Sequence, residues 1–192
     1  GNGHYRLSFV GVKIMIVFKG FKKDLTCRGY KFKKGANVTE KANCAQNGFH
    51  AAEDPLDCLR YYPDIENSAY WMCEAGGDID EDGSDSKISC TRLELLKEID
   101  ITELMLNAII YRMKNKNRNP YYPTERGKAV CRKGRVTVIR GKKPRFMGEE
   151  NAYVILLTEN ESGEIETGYA LRTDGNIYIP GVWYEFDGEE VR

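Results

Sequence analysis

The first strong apolar run, Ile14-Met-Ile-Val-Phe18, is β-branched and uninterrupted, which predicts a strand buried on both faces. Tyr30 and Phe32 then alternate with Lys31 and Lys33, the two-residue period of a half-buried strand that ends at Lys34-Gly35. Asp54-Pro55 opens a helix over Leu56 to Tyr62, because an Asp cap accepts from free amides and Pro fits the first helical position; Pro63 stops it. Ala69 to Cys73 predicts a core strand, and the acidic, glycine-rich stretch Gly76 to Asp85 an exposed loop. Ser86 to Leu96 reads as a further strand or strand-helix transition that buries Ile88, Cys90 and Leu93.

Asp100-Ile-Thr-Glu103 has the form of a capping box, and Ile101, Leu104, Met105, Ala108, Ile109 and Met113 recur on one face of the helix it would start. The polar, proline-punctuated stretch from Lys114 to Pro123 opposes both helix and ladder, so a boundary is drawn there. Beyond it, Arg135 to Arg140, Ala152 to Thr158, Glu164 to Arg172, Ile177 to Ile179 and Val182 to Phe186 predict short strands, with turn chemistry at Asp174-Gly175 and Asp187-Gly188. The predicted class is α+β: a mixed α+β domain over residues 1–116, with a small sheet and two helices, then a small antiparallel β meander over residues 117–192. Two separate apolar cores are expected, one in each part.

Composition changes this picture little. The chain has 192 residues, 41% hydrophobic and 30% charged, enough apolar area to fold without staples. Lys plus Arg number 29 and Asp plus Glu 29, so no global charge excess draws the chain to nucleic acid, and none is expected as a partner. The apolar runs fall far short of the roughly 20 residues that cross a bilayer. Residues 1–14 lack a secretory pattern, so a cytoplasmic location is expected, with Cys27, Cys44, Cys58, Cys73, Cys90 and Cys131 as reduced, packed thiols. Single spacing of those cysteines, with His4 and His50 as the histidines, argues against zinc. Asp78 to Asp85 lacks the Glu and flanking helices of a calcium loop, so neither metal nor cofactor is expected. The basic groups Arg132 to Arg135 and Arg140 to Arg145 are countered by acidic residues from Glu149 onward.

Candidate chemistry gathers in the N-terminal part. His50 follows a Gly48-Phe49 turn, where an imidazole serves either acid-base or anion-binding work, or simply bonds backbone at a helix entrance. Arg28 and Lys87 are candidates for a cationic rim that takes phosphate or carboxylate, or for ion pairs with Asp54, Asp57 or Asp85. Arg28, Gly48, His50 and Lys87 are therefore the ligand-binding candidates; no residue is assigned a catalytic role.

Phe18-Lys-Gly-Phe21, Cys27-Arg-Gly-Tyr30, Asn47-Gly-Phe-His-Ala51, Asp54-Pro-Leu-Asp57 and Asp85-Ser-Lys87 together resemble an uncharacterised domain found in bacteriophage and bacterial genomes. Gly175 to Val191 resembles the tail that often follows that domain. The resemblance implies a phage or mobile-element setting. A second layout similarity is to ADP-ribosyltransferases, in the order Phe18-Lys-Gly20, Gly48-Phe-His50, Pro55 to Tyr62 and Tyr70 to Gly76. It implies NAD binding, with Lys19 where one class has His, His50 near its Tyr, Arg28 as the Arg of the other class, and Glu94 or Glu103 as downstream carboxylates.

Two functions are thus expected as alternatives. One is a non-enzymatic phage or prophage accessory module that binds a protein or small ligand, with the β tail serving assembly; exposed strand edges make a homo-oligomer conceivable. The other is an ADP-ribosyltransferase-like enzyme or inactive relative, favoured if a split sheet places Arg28, Gly48 and His50 along one groove.

Overall fold

The computed structural model describes residues 14–41, 47–81, 83 and 85–192. His4, Cys44, Asp82 and Ser84, which entered the sequence argument, lie outside the described residues. The strands are β1 Met15–Lys22, β2 Thr26–Cys27, β3 Tyr30–Lys31, β4 Gly35–Val38, β5 Phe49–Ala52, β6 Ser68–Glu81, β7 Lys87–Ile99, β8 Thr124–Cys131, β9 Val136–Gly148, β10 Tyr153–Glu159, β11 Ile165–Arg172 and β12 Trp183–Glu185. A 3-10 turn over Pro55–Asp57 leads into α1, Cys58–Tyr61, and α2 spans Ile101–Lys114. The α+β class holds, with strands dominant.

In the N-terminal part, β6 pairs with both β1 and β7, while β5 pairs with β7 and touches β1 at Phe18 and Ala52, so the antiparallel strands curl into a ring. Alternation along β1 explains its two-sided burial. Val17 and Phe21 point into the ring with Phe49, Trp71, Ile88 and Leu93, whereas Phe18 points to the opposite face against Leu56, Leu59 and Tyr70. The first apolar run is only partly buried: Ile14 and Ile16 are 59% and 50% exposed, on the outward face that alternation gives them in common with Phe18. Tyr30 is exposed and the second strand is only Tyr30–Lys31, with Phe32 buried just beyond it.

The acidic segment is not a loop from Gly76: β6 continues to Glu81 against β7, with a register shift between Gly76 and Ile79. Ladder bonds use backbone alone, so Asp78 and Asp80 stay in solvent while the strand persists. Ile88, Cys90 and Leu93 are buried as expected.

Both helix caps form. Asp54 Oδ1 accepts from the Leu56 amide at 3.0 Å. Asp100 and Glu103 make the reciprocal box, Glu103 N donating to Asp100 Oδ1 at 2.8 Å and Asp100 N to Glu103 Oε2 at 3.2 Å.

The C-terminal sheet departs from a meander. Its β10–β11 and β9–β12 pairs are antiparallel, but β8–β9 and β9–β10 are parallel. The long β9 folds over between its pairing of Arg140 with Arg126 and of Arg145 with Lys128, which returns its end toward its own start. Gly127 and Gly141 permit that crossing, since a Cβ on Gly141 would stand 3.3 Å from the Gly127 Cα. Residues 177–179 form no strand; the Asp174 carboxylate instead gathers the amides of Asn176, Ile177 and Tyr178. The basic groups are answered as expected, Arg126 and Arg140 by Glu159, Arg132 by Glu149 and Lys142 by Glu161.

The two expected cores are joined by a third. Leu104, Met105, Ala108 and Ile109 of α2 share one apolar cluster with Phe18, Leu56 and Tyr70 on one side and Val138, Ile155, Leu157 and Ile165 on the other. Helix and sheet meet closely at Gly168, where a Cβ would stand 2.5 Å from Ile109 Cγ2. The boundary at residues 116 and 117 is therefore bridged by packing. Leu104→Ala is expected to cost about 2–5 kcal/mol in urea denaturation. The wild-type chain is expected to melt in one calorimetric transition, because neither half can expose the α2 face alone; two resolved transitions would contradict the shared core.

Candidate functional site

A cleft of about 520 Å³ opens between β1, β5, the β2–β3 hairpin and α1. That volume lies in the ~300–1,000 Å³ range of small-molecule sites. Arg28, His50 and Lys87, three of the four candidates, line it; Gly48 does not, and serves instead in a positive-φ turn entering β5. Lys19, Lys22, Arg60, Tyr61 and Tyr62 also line the cleft, with Asp57 and Asp85 as its carboxylates.

Local structure explains each placement. Arg28 and Gly29 are the two central residues of the β2–β3 hairpin, at φ 48° and 81°. A two-residue hairpin of this hand needs positive φ at both positions, where Asn or Gly is the usual first residue. An arginine there is mildly strained and extends from the turn at the cleft mouth. His50 lies on β5 opposite Ser89, and Lys87 opposite Ala52, so strand register brings both to one side of the ring.

Lys19 enters the sequence reading only through the ADP-ribosyltransferase layout and not as a ligand-binding candidate, since it sits in an apolar strand. It is only 7% exposed. Its Nζ donates to the His50 carbonyl at 2.5 Å and lies 5.4 Å and 5.3 Å from the Phe21 and Phe32 ring centroids. No carboxylate among the described residues pairs with it. Tyr61 and Tyr62 were likewise read only as the end of a helix.

Electrostatics single out His50. Burial first, then the charges of Lys19, Lys87 and Arg28, push its imidazole down to about 4, so it is neutral at pH 7. Its Nε2 is buried and has no hydrogen-bond partner among the described residues.

The carboxylates proposed as alternative partners make further bonds of their own, Asp85 accepting from the Lys87 amide at 2.8 Å. Arg60 lies 3.6 Å from Asp85 and stacks on Tyr121, its guanidinium carbon 4.1 Å from the ring centroid. Behind the cleft wall, Asp54 pairs with Arg112 at 3.4 Å, their side chains 2% and 5% exposed. Asp54 N donates to Ser86 Oγ at 3.0 Å, and Ser86 Oγ donates to Asp57 Oδ2 at 2.5 Å. Arg112 also donates to Thr124 Oγ1 and the Tyr122 carbonyl. Burial pushes the Asp54 carboxyl up to about 6 against the opposing pull of Arg112. The Asp54-Pro-Leu-Asp57 and Asp85-Ser-Lys87 motifs thus build one buried network beside the cleft.

Residues 15–107 match the model of a family described as a domain of unknown function, DUF7666. No curated protein and no solved structure matches the chain. No helix among the described residues is long and apolar enough to cross a membrane.

The depressed His50 and raised Asp54 act in opposite directions on stability. His50 binds protons more readily unfolded, at 6.5, than folded, at about 4, so its contribution is complete above 6.5 and is lost as pH falls through 4. Asp54, raised from 3.8 to about 6, contributes fully below 3.8 and loses its contribution as pH rises through 6. His50→Gln removes only the first effect. Urea denaturation at about pH 7 and about pH 4.5 is expected to show the variant gaining stability relative to wild type at the lower pH. An unchanged difference between the two pH values would refute the depressed imidazole.

Proposed function

We propose that the N-terminal domain is a non-enzymatic binding module for a small anionic ligand, within an accessory protein of a phage or prophage. The observation that carries the binding reading is Lys19. A nearly buried ammonium beside aromatic rings, with one carbonyl as its described hydrogen-bond partner, is costly unless an anion compensates it. An ammonium has three donors, and one is used among the described residues. Arg28, Lys87 and the acceptor- or donor-capable His50 Nε2 line the same cleft, so an anion entering it meets several cationic groups at once. The phage setting rests on the sequence motifs alone. For the β tail the reading is a structural or assembly module docked through α2.

The second reading, an ADP-ribosyltransferase-like relative that binds NAD, is favoured by one observation: Arg28 and His50 share a cleft. Against transfer chemistry, the ring is closed at Phe18 and Ala52 rather than split. Glu94 is bonded by Arg92, and Glu103 is committed to the helix cap and Lys97. The cleft carboxylates are Asp57 and Asp85, of which Asp57 is held by Ser86.

Isothermal titration at low ionic strength distinguishes these readings. Inorganic pyrophosphate is expected to bind saturably. Lys19→Met and Arg28→Asn are each expected to weaken binding at least about tenfold, a loss of ~1.4 kcal/mol. Asn tolerates the left-handed turn, so Arg28→Asn removes charge without breaking the hairpin. Absence of saturable binding by the wild type would end the anion reading. Incubation with labelled NAD is expected to leave the protein and added acceptor proteins unmodified, and covalent labelling lost in His50→Ala would favour the second reading.

A further inference from the structure

Anion binding accounts for the cations of the cleft but not for its aromatic wall. Tyr62 lies so close over β1 that a Cβ on Gly20 would stand 2.7 Å from its Cδ2 and 3.0 Å from its Cγ. The residue is held from both directions, its amide donating to the Cys58 carbonyl at 3.0 Å and its own carbonyl accepting from the Tyr70 hydroxyl at 2.6 Å. The Tyr62 backbone is thus anchored at both its polar groups, with the ring seated against Gly20. Phe18 and the half-exposed Tyr61 line the same cleft.

Aromatic rings beside cations fit one ligand shape, an anionic group joined to a flat ring. Stacking rewards the ring, while the ammonium and guanidinium groups hold the charge. Arg28 lines the cleft together with both Tyr62 and His50. The cleft volume, about 520 Å³, suits a single small molecule rather than a polymer strand.

We infer that the cleft takes a phosphate ester of an aryl or heterocyclic group, the class to which mononucleotides belong, with the ring against Tyr62 and the phosphate toward Lys19 and Arg28. This inference rests on the anion reading above. It adds a specificity role for Gly20: the missing side chain gives the Tyr62 ring its place, and with it the shape of the slot.

Titration calorimetry with pyrophosphate, ribose 5-phosphate, phenyl phosphate, AMP and adenosine tests it. Phenyl phosphate and AMP are expected to bind at least about tenfold tighter than ribose 5-phosphate. Gly20→Ala, which forces the Tyr62 ring from its seat, is expected to erase most of that advantage while pyrophosphate affinity changes less than about twofold. If this variant does not fold, Tyr61→Leu at the exposed lip is expected to reduce the same advantage. Equal affinities for the four phosphates, or an advantage untouched in both variants, overturns the ring inference and leaves anion binding intact. Adenosine binding as tightly as AMP overturns the anion reading instead, and no binding by any of the five overturns both.

Discussion

The arrangement of this protein turns on one buried ion pair, Asp54 with Arg112. Asp54 caps the 3-10 turn that leads into α1, and Arg112 belongs to the last turn of α2. A carboxylate this deeply enclosed is held by burial toward its neutral form, and only the guanidinium and the Leu56 amide draw it back. Such a pair is weak evidence for net stability, because desolvation offsets much of the attraction. Its geometric consequence is firmer. The guanidinium has donors in a fixed fork, and here they reach Asp54, Thr124 and the Tyr122 carbonyl at once. One side chain thereby fixes where α1 begins, how α2 lies across it and where β8 starts.

That fixation sets the cleft. α1 forms its outer wall, carrying Arg60, Tyr61 and Tyr62, and its position follows from the Asp54 cap and from Asp57 gripping Ser86. The opposite wall comes from the strand ring, where the Lys19 ammonium reaches the backbone carbonyl of His50. Between them, the charges of Lys19, Lys87 and Arg28 act on a neutral imidazole, with Asp57 and Asp85 also on the cleft wall.

Several of these features were legible in the sequence because they depend on local chemistry. Asp54-Pro55 and Asp100-Ile-Thr-Glu103 mark helix starts through side-chain bonds made within three residues. Ile88, Cys90 and Leu93 announced the buried face of β7. Arg28, His50 and Lys87 stood out as charged or titratable groups beside turns, and the fold gathers them. What failed to show is nonlocal. β8, Thr-Glu-Arg-Gly-Lys-Ala-Val-Cys131, is largely solvent-facing and has almost no apolar period, yet it pairs along β9 through backbone bonds. Alternation also says nothing of strand direction, so the parallel pairs of the C-terminal sheet were invisible. Lys19, just past the apolar run, carries no local sign of enclosure, and Tyr62 marks only the end of a helix. Only the curl of the ring gives the first its enclosure, and only Gly20 gives the second its seat.

The extent of the family match sharpens the role of α2. The matched residues end at 107, within that helix, so Asp54, Asp57 and Ser86 fall inside the domain while Arg112 falls outside it. The buried carboxylate that organises the domain is thus neutralised by a side chain just beyond it. The apolar cluster repeats the pattern, since Val138, Ile155, Leu157 and Ile165 cover a face that Phe18, Leu56 and Tyr70 present. In this chain the C-terminal sheet covers an apolar face of the domain, while Arg112 of α2 supplies the cation for its interior charge. A chain carrying the same domain with a different C-terminal part must meet both requirements by other means. The pairing of cap and cation, more than the sheet itself, defines what such a replacement has to provide.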